Sequence, residues 1–192
     1  MNTGILALQG SFHEHSETLK LLNRDFVFIK SINDLENINS LIFPGGESTA
    51  MLKIQENSAL FKKLGSLIKS GIPTLGTCAG LILLSGQSIL GKDTINAIDC
   101  IVQRNGYGRQ NQSFEAKVQF EDFIANYCFI RAPKIISYGD DVDPIAYLEK
   151  DVVGLKRENI VGLSFHPELT NDHNYLSWLD SFLKKGSNVG SF

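Results

Sequence analysis

Apolar residues recur along this chain in two alternating rhythms. Short continuous runs at Gly4–Leu8, Phe26–Ile29, Ser40–Phe43 and Pro73–Thr77 predict buried strands, because a strand covered on both faces needs no polar side. Between them lie stretches with helical spacing. Phe12–Asn23 has Phe12, Leu19 and Leu22 among its apolar positions, and Ala59–Lys69 is closed by Gly71, a usual residue past a helix end. This alternation argues for parallel strands joined by crossovers and covered by helices. Past residue 99 the helices thin out. Cys100–Arg104, Phe114–Phe120, Tyr127–Arg131, Ile145–Glu149 and Ile160–Phe165 predict further strands, and Asp172–Lys185 a last helix. The expected fold is α/β: an open, mostly parallel, mixed sheet with flanking helices. It forms one domain over 1–186, followed by a short tail at 187–192. Ligands in such sheets bind beyond the carboxyl ends of the strands, which puts the residues after Leu8, Phe43, Thr77 and Phe165 on one rim.

Composition narrows the function without choosing it. A chain of 192 residues buries a full core without staples. The net charge of −3 gives no basic balance to attract nucleic acid or an anionic membrane. The longest apolar runs fall far short of the roughly 18 residues of a membrane span. The start, Met1-Asn2-Thr3-Gly4, lacks the basic region of a secretory signal. Three cysteines without metal-ligand spacing point to a reduced, cytoplasmic setting.

The chemistry concentrates on the predicted rim. Gly76-Thr77-Cys78-Ala79-Gly80 follows a strand and precedes the apolar stretch Leu81–Leu84. This is a nucleophile-elbow pattern with cysteine as the nucleophile. Small flanking residues permit the sharp strand-to-helix turn, and the helix N-terminus favours a thiolate. The N–H of Ala79 is then placed to bind an oxyanion. Cys100 and Cys128 sit inside strand patterns and are assigned to core packing.

A thiol nucleophile needs a base and a group that orients the base. His166 ends the strand pattern Ile160–Phe165, and Glu168 stands two residues on, on the same side of an extended segment. His13 and His15, near the first rim loop, are rival bases, while His173 opens the last helix in solvent. Pro44-Gly45-Gly46-Glu47-Ser48-Thr49 forms a tight loop after the third strand. A phosphate cradle there fails for want of the P-loop lysine, and Glu47 would repel phosphate. Backbone donors beside one carboxylate suit a zwitterion.

Together these motifs resemble the class I glutamine amidotransferases, and among them the glutaminase subunits of pyridoxal 5′-phosphate synthases. The resemblance runs through Leu8-Gln9-Gly10 with Glu14-His15, Pro44–Thr49, Gly76–Gly80, Arg104-Asn105 with Gly108-Arg109-Gln110, Phe129–Pro133 and Ser164–Thr170. The cysteine and histidine motifs occur across the class, whereas Leu-Gln-Gly with Phe-Ile-Arg-Ala-Pro is more specific. The resemblance implies a triad of Cys78, His166 and Glu168. It implies glutamine binding by Gly46, Glu47, Ser48, Arg104, Ile130 and Arg131, and an oxyanion hole from Gly46 and Ala79 with Gln9 nearby. It also implies a partner, the synthase subunit, which joins the released ammonia to a pentose phosphate and a triose phosphate. Gln9, Glu14 and His15 are candidates to face that partner. No metal or organic cofactor is needed. A stand-alone cysteine hydrolase or peptidase, or a non-catalytic regulatory subunit, are the alternatives.

Overall fold

The computed structural model describes residues 2–47, 59–88, 94–107 and 113–185. In chain order these form β1 (Asn2–Leu6), α1 (Phe12–Leu21), β2 (Phe26–Ile29), β3 (Ile38–Phe43), α2 (Ala59–Lys69) and β4 (Thr74–Thr77). They continue as α3 (Ala79–Leu84), β5 (Ser85–Ser88), β6 (Ile98–Gln103), β7 (Ser113–Phe120), β8 (Phe123–Ile130) and β9 (Lys134–Tyr138). The last elements are β10 (Asp143–Leu148), β11 (Asp151–Arg157), β12 (Ile160–Leu163) and α4 (His173–Lys184), with 3₁₀ turns at Ile32–Leu35 and Pro167–Leu169. The tail expected at 187–192 lies outside the described residues.

The main sheet has the strand order β2-β1-β3-β4-β12-β11-β10-β7-β8. From β2 to β12 neighbours run parallel, and from β12 to β8 they run antiparallel. This is the open, mixed α/β sheet the pattern predicts. Its parallel half is buried on both faces, as β4 and β12 show at every position. The antiparallel β8 alternates buried and accessible positions, as a sheet open to solvent on one side does.

Side chains of neighbouring residues leave a strand on opposite faces, so one sheet feeds two cores. Leu6, Leu41 and Phe43 join the core under α2, α3 and β6. Ile5 and Ile42, their immediate neighbours, join the core under α1 and α4, with Leu19, Tyr175, Leu179 and Phe182. Arg24, just past α1, ties these two helices together: its Nε donates to Asp180 Oδ1 and its Nη2 to Asp180 O, each at 2.8 Å. Among the described residues no helix is long and apolar enough to cross a membrane.

Because β1, β3, β4 and β12 are parallel, their carboxyl ends share one rim. The chain leaves that rim at Gly10-Ser11, Gly45-Gly46, Cys78 and His166, and there the candidate site lies.

Candidate active site

Cys78 occupies the turn between β4 and α3. Its N–H donates to Leu163 O of β12 at 2.8 Å, which extends the ladder one residue past the strand. Its own φ of 49° and ψ of −103° fall where a side chain is strained, at a cost of about 1–3 kcal/mol. Packing on both sides holds it there. A Cβ on Gly76 would meet Gly80 C and Leu84 Cδ1 at 2.7 Å, and one on Gly80 would meet Phe43 O at 2.0 Å. Both glycines are therefore demanded by the close approach of α3 to the strands beneath it. Ala79 sits at the first position of α3, where amides have no intrahelical acceptor. Cys78 is 6% exposed, and its thiol lies 3.7 Å from Ile130 O.

His166 leaves the end of β12 with its N–H bonded to Cys128 O of β8 at 2.9 Å. Its Nδ1 lies 2.8 Å from Glu168 Oε1. The route differs from the extended segment expected: Pro167–Leu169 turns as a 3₁₀ helix, and that turn brings Glu168 back beneath the ring. Burial disfavours the charged ring, but hydrogen bonds with Cys78 and Glu168, and the charges of both, outweigh it and raise the His166 pKa. Burial likewise pushes Glu168 up, yet its interactions with His15 and His166 hold the carboxyl below the usual range. The result is a buried ion pair behind the thiol.

The rim opens on a cavity of about 580 Å³ lined by Cys78, His166, Gly46, Glu47, Arg104, Ile130, Arg131 and Ala79, with Ser11, Gly45, Ile82, Asn105 and Ser113. Arg104 and Glu47 form an ion pair at 3.1 Å on its wall. Ser48 and 108–110 lie outside the described residues. Among the additional lining residues, Ser11 carried a signal in the sequence, since it follows Gly10 on the rim. Ile82 and Ser113 carried none.

Three expectations need correction. His15 is fully buried and bonded through Nε2 to Thr77 Oγ1 at 3.0 Å, so its side chain neither faces a partner nor reaches the thiol as a rival base. His13 is exposed and packs on the rings of Phe12 and Phe28, away from the cavity lining. Cys100 is in the core, but Cys128 is only partly buried, on the accessible side of β8, with its thiol against Glu115. Of the other partner candidates, Glu14 is exposed and Gln9 half-buried. His173 is exposed, as expected.

The fold is that of glutamine amidotransferases. A crystal structure described as a glutamine amidotransferase superposes with a TM-score of 0.86 at 34% identity, covering 93% of this chain and 98% of that one. A glutamine amidotransferase from Thermotoga maritima shares the fold, with a TM-score of 0.66 at 16% identity over 100% of this chain and 99% of that one. The SNO glutamine amidotransferase family profile matches residues 5–185, and this chain belongs to that family. Among its relatives is the pyridoxal 5′-phosphate synthase subunit PdxT of Tropheryma whipplei (strain TW08/27). That protein is 44% identical over 173 residues, 88% of this chain and 92% of the relative. The subunit of the same name from Thermosipho africanus is 39% identical over 188 residues, 96% of this chain and 100% of the relative.

Proposed function

We propose that this chain hydrolyses L-glutamine to L-glutamate and ammonia, and that the ammonia passes to a synthase subunit that makes pyridoxal 5′-phosphate. The observation that carries the reading is the arrangement of Cys78, His166 and Glu168. A cysteine on strained backbone at an elbow and a buried histidine line one cavity, and a buried carboxylate bonds the histidine from behind, in a chain of the glutamine amidotransferase family.

In this reading the Cys78 thiolate attacks the side-chain amide carbon of glutamine, and the carbonyl electrons move onto oxygen. The N–H groups of Ala79 and Gly46 bind that oxyanion. His166 gives its proton to the amide nitrogen as the C–N bond breaks and ammonia leaves. Water then attacks the glutamyl thioester, His166 takes the proton, and the thiolate departs. Glu168 holds the tautomer and supports the imidazolium. Glu47 accepts the substrate ammonium, Arg104 and Arg131 face its carboxylate, and Ser48 and Ile130 complete the glutamine pocket. Gln9 and Glu14, beside the same rim, are the residues proposed to meet the synthase subunit.

Glutamate release tests the reading. Cys78→Ala abolishes it while the circular dichroism spectrum stays native. A glutamine-analogue electrophile labels Cys78 alone in peptide mapping. Burial pushes the Cys100 thiol up to about 12, and burial with the Glu115 carboxylate raises that of Cys128, so neither is a competing thiolate. Labelling of Cys100 or Cys128 in place of Cys78 would overturn the assignment.

A further inference from the structure

Ser11 stands at the N-cap of α1, where a serine side chain ordinarily accepts a hydrogen bond from a free amide of the first turn. Here it makes no such bond. Its hydroxyl donates instead to Glu168 Oε1 at 2.8 Å, forgoing the helix cap that a serine here ordinarily supplies. Its backbone N–H donates to Gly45 O at 3.0 Å. One turn on, along the same face of α1, His15 is fully buried. Its Nε2 lies 3.0 Å from Thr77 Oγ1 and 3.5 Å from Glu168 Oε1. A polar ring buried this deeply destabilises a fold unless it is bonded. What it touches is the residue before the thiol and the carboxylate behind the histidine.

The tautomer follows from these contacts. Burial lowers the His15 pKa against the pull of Glu168, with His166 opposing and Glu14 favouring the charge. Burial thus favours the neutral ring, which carries one N–H. Nδ1 has no hydrogen-bond partner among the described residues. A proton there would be an orphan donor and would turn a bare lone pair toward the carboxylate, so the proton belongs on Nε2. Glu168 is buried as well, and its Oε2 has no hydrogen-bond partner among the described residues. Its charge is then compensated at Oε1, by the Ser11 hydroxyl, the His166 N–H and the edge of His15.

We infer that Ser11 and His15 are positioning residues: they hold the buried Glu168 carboxylate in place and aimed at Nδ1 of His166, and so tie the first turn of α1 to the base. This rests on the reading of Cys78, His166 and Glu168 as the catalytic groups. Neither residue takes a proton in the reaction, and both act through Glu168.

Two amides separate this role from mere packing. The longer His15→Gln side chain places its nitrogen near the position of Nε2, while His15→Asn reaches only as far as Nδ1. The full chain is assayed with its synthase partner, with Cys78→Ala as the zero. His15→Asn is expected to lose about 10–100-fold in kcat with KM little changed, and His15→Gln to recover most of that loss. In ¹³C-histidine spectra the His166 titration midpoint moves down in His15→Asn and stays near wild type in His15→Gln. Wild-type turnover in His15→Asn would overturn the inference, as would equal impairment of both variants with an unmoved His166 midpoint. Should His15→Asn fail to fold, Ser11→Ala decides at a half-buried position: unaltered turnover and an unaltered midpoint overturn the inference. Activity retained by Cys78→Ala would instead overturn the triad reading itself.

Discussion

The loop after β3 passes directly beneath the His166 ring, and Gly45→Ala tests how closely. A Cβ at Gly45 would stand 2.2 Å from His166 Cε1, 3.0 Å from Nδ1 and 3.2 Å from Nε2. Ordinary contact begins near 3.4 Å, so ring or loop must move by about 1 Å. The backbone at Gly45 has no positive φ, so alanine fits its conformation and the clash acts alone. The loop has little room to yield. Ser11 N–H holds Gly45 O at 3.0 Å, and Gly10 packs so closely that a Cβ there would meet Gly45 O at 1.7 Å. The ring is the part that moves, away from Cys78 or off its 2.8 Å bond to Glu168. A misplacement of about 1 Å costs on the order of 10²-fold in rate, or roughly 2.7 kcal/mol in the barrier. The expected result is a kcat about 100-fold lower with KM nearly unchanged, read as initial glutamate release at saturating glutamine. Overpacking adds a loss of about 1–3 kcal/mol in stability, read by chemical denaturation. A folded Gly45→Ala protein turning over at the wild-type rate would refute the argument, because the position of the ring would then not set the rate.

Other perturbations separate charge, stability and partner effects. Glu168→Gln keeps the shape of the buried group but loses its charge, so turnover falls by about 10²–10⁴ while KM changes little; a fall in glutamine affinity alone would contradict this. His166 has a folded pKa raised to about 10, so its contribution to stability is complete below about 6.5 and is lost as pH rises through about 10. Denaturation across that window shows an alkaline loss in the wild type that His166→Asn lacks; identical slopes would exclude it. Gly65, inside α2 with its nearest neighbour 3.8 Å from a built Cβ, becomes alanine with a gain of about 0.5–1 kcal/mol and unchanged turnover. Adding the synthase partner raises glutamate release by the wild type and less so by Glu14→Lys; equal turnover with and without that partner removes its role as a switch.

The parallel half of the fold was legible because each of its devices leaves a mark in the chain. Phe26–Ile29 and Ala59–Lys69 fall where the apolar pattern puts them. The Gly-x-Cys-x-Gly motif reads as an elbow because each glycine answers a specific clash, with Phe43 O or with Gly80 itself. Several later strands were missed for equally specific reasons. β5 begins at the residue after α3 ends, with no turn to mark it. β9 directly follows Pro133, a residue that reads as a break. β11 carries Gly154 in its middle, which lowers strand propensity. It belongs there because a Cβ would meet Ala146 Cβ at 2.7 Å and Leu163 Cδ2 at 2.9 Å. The start of β8 was hidden by the two-residue turn at Glu121-Asp122, where Glu121 takes a positive φ without a glycine or asparagine to announce it.

His15 shows where periodicity carries information that residue type obscures. Phe12, His15, Leu19 and Leu22 follow one another at helical spacings of three and four, which places the histidine in the apolar stripe of α1. Read as a polar residue beside a rim loop, it belongs to solvent and to a partner. Read by its position in the stripe, it must be buried, and a buried ring nitrogen must be bonded to something the helix faces. α1 faces the ends of β4 and β12, and the polar groups there are Thr77 and Glu168. The spacing therefore predicts burial, and burial predicts a polar partner. Only the crossover that lays α1 over those strand ends decides which partner that is. The same holds for Ser11, whose residue type and position announce a helix cap. The sequence alone gives no sign that a carboxylate 157 residues away competes for its hydroxyl, because that competition exists only once the 3₁₀ turn after His166 has folded Glu168 back beneath the ring.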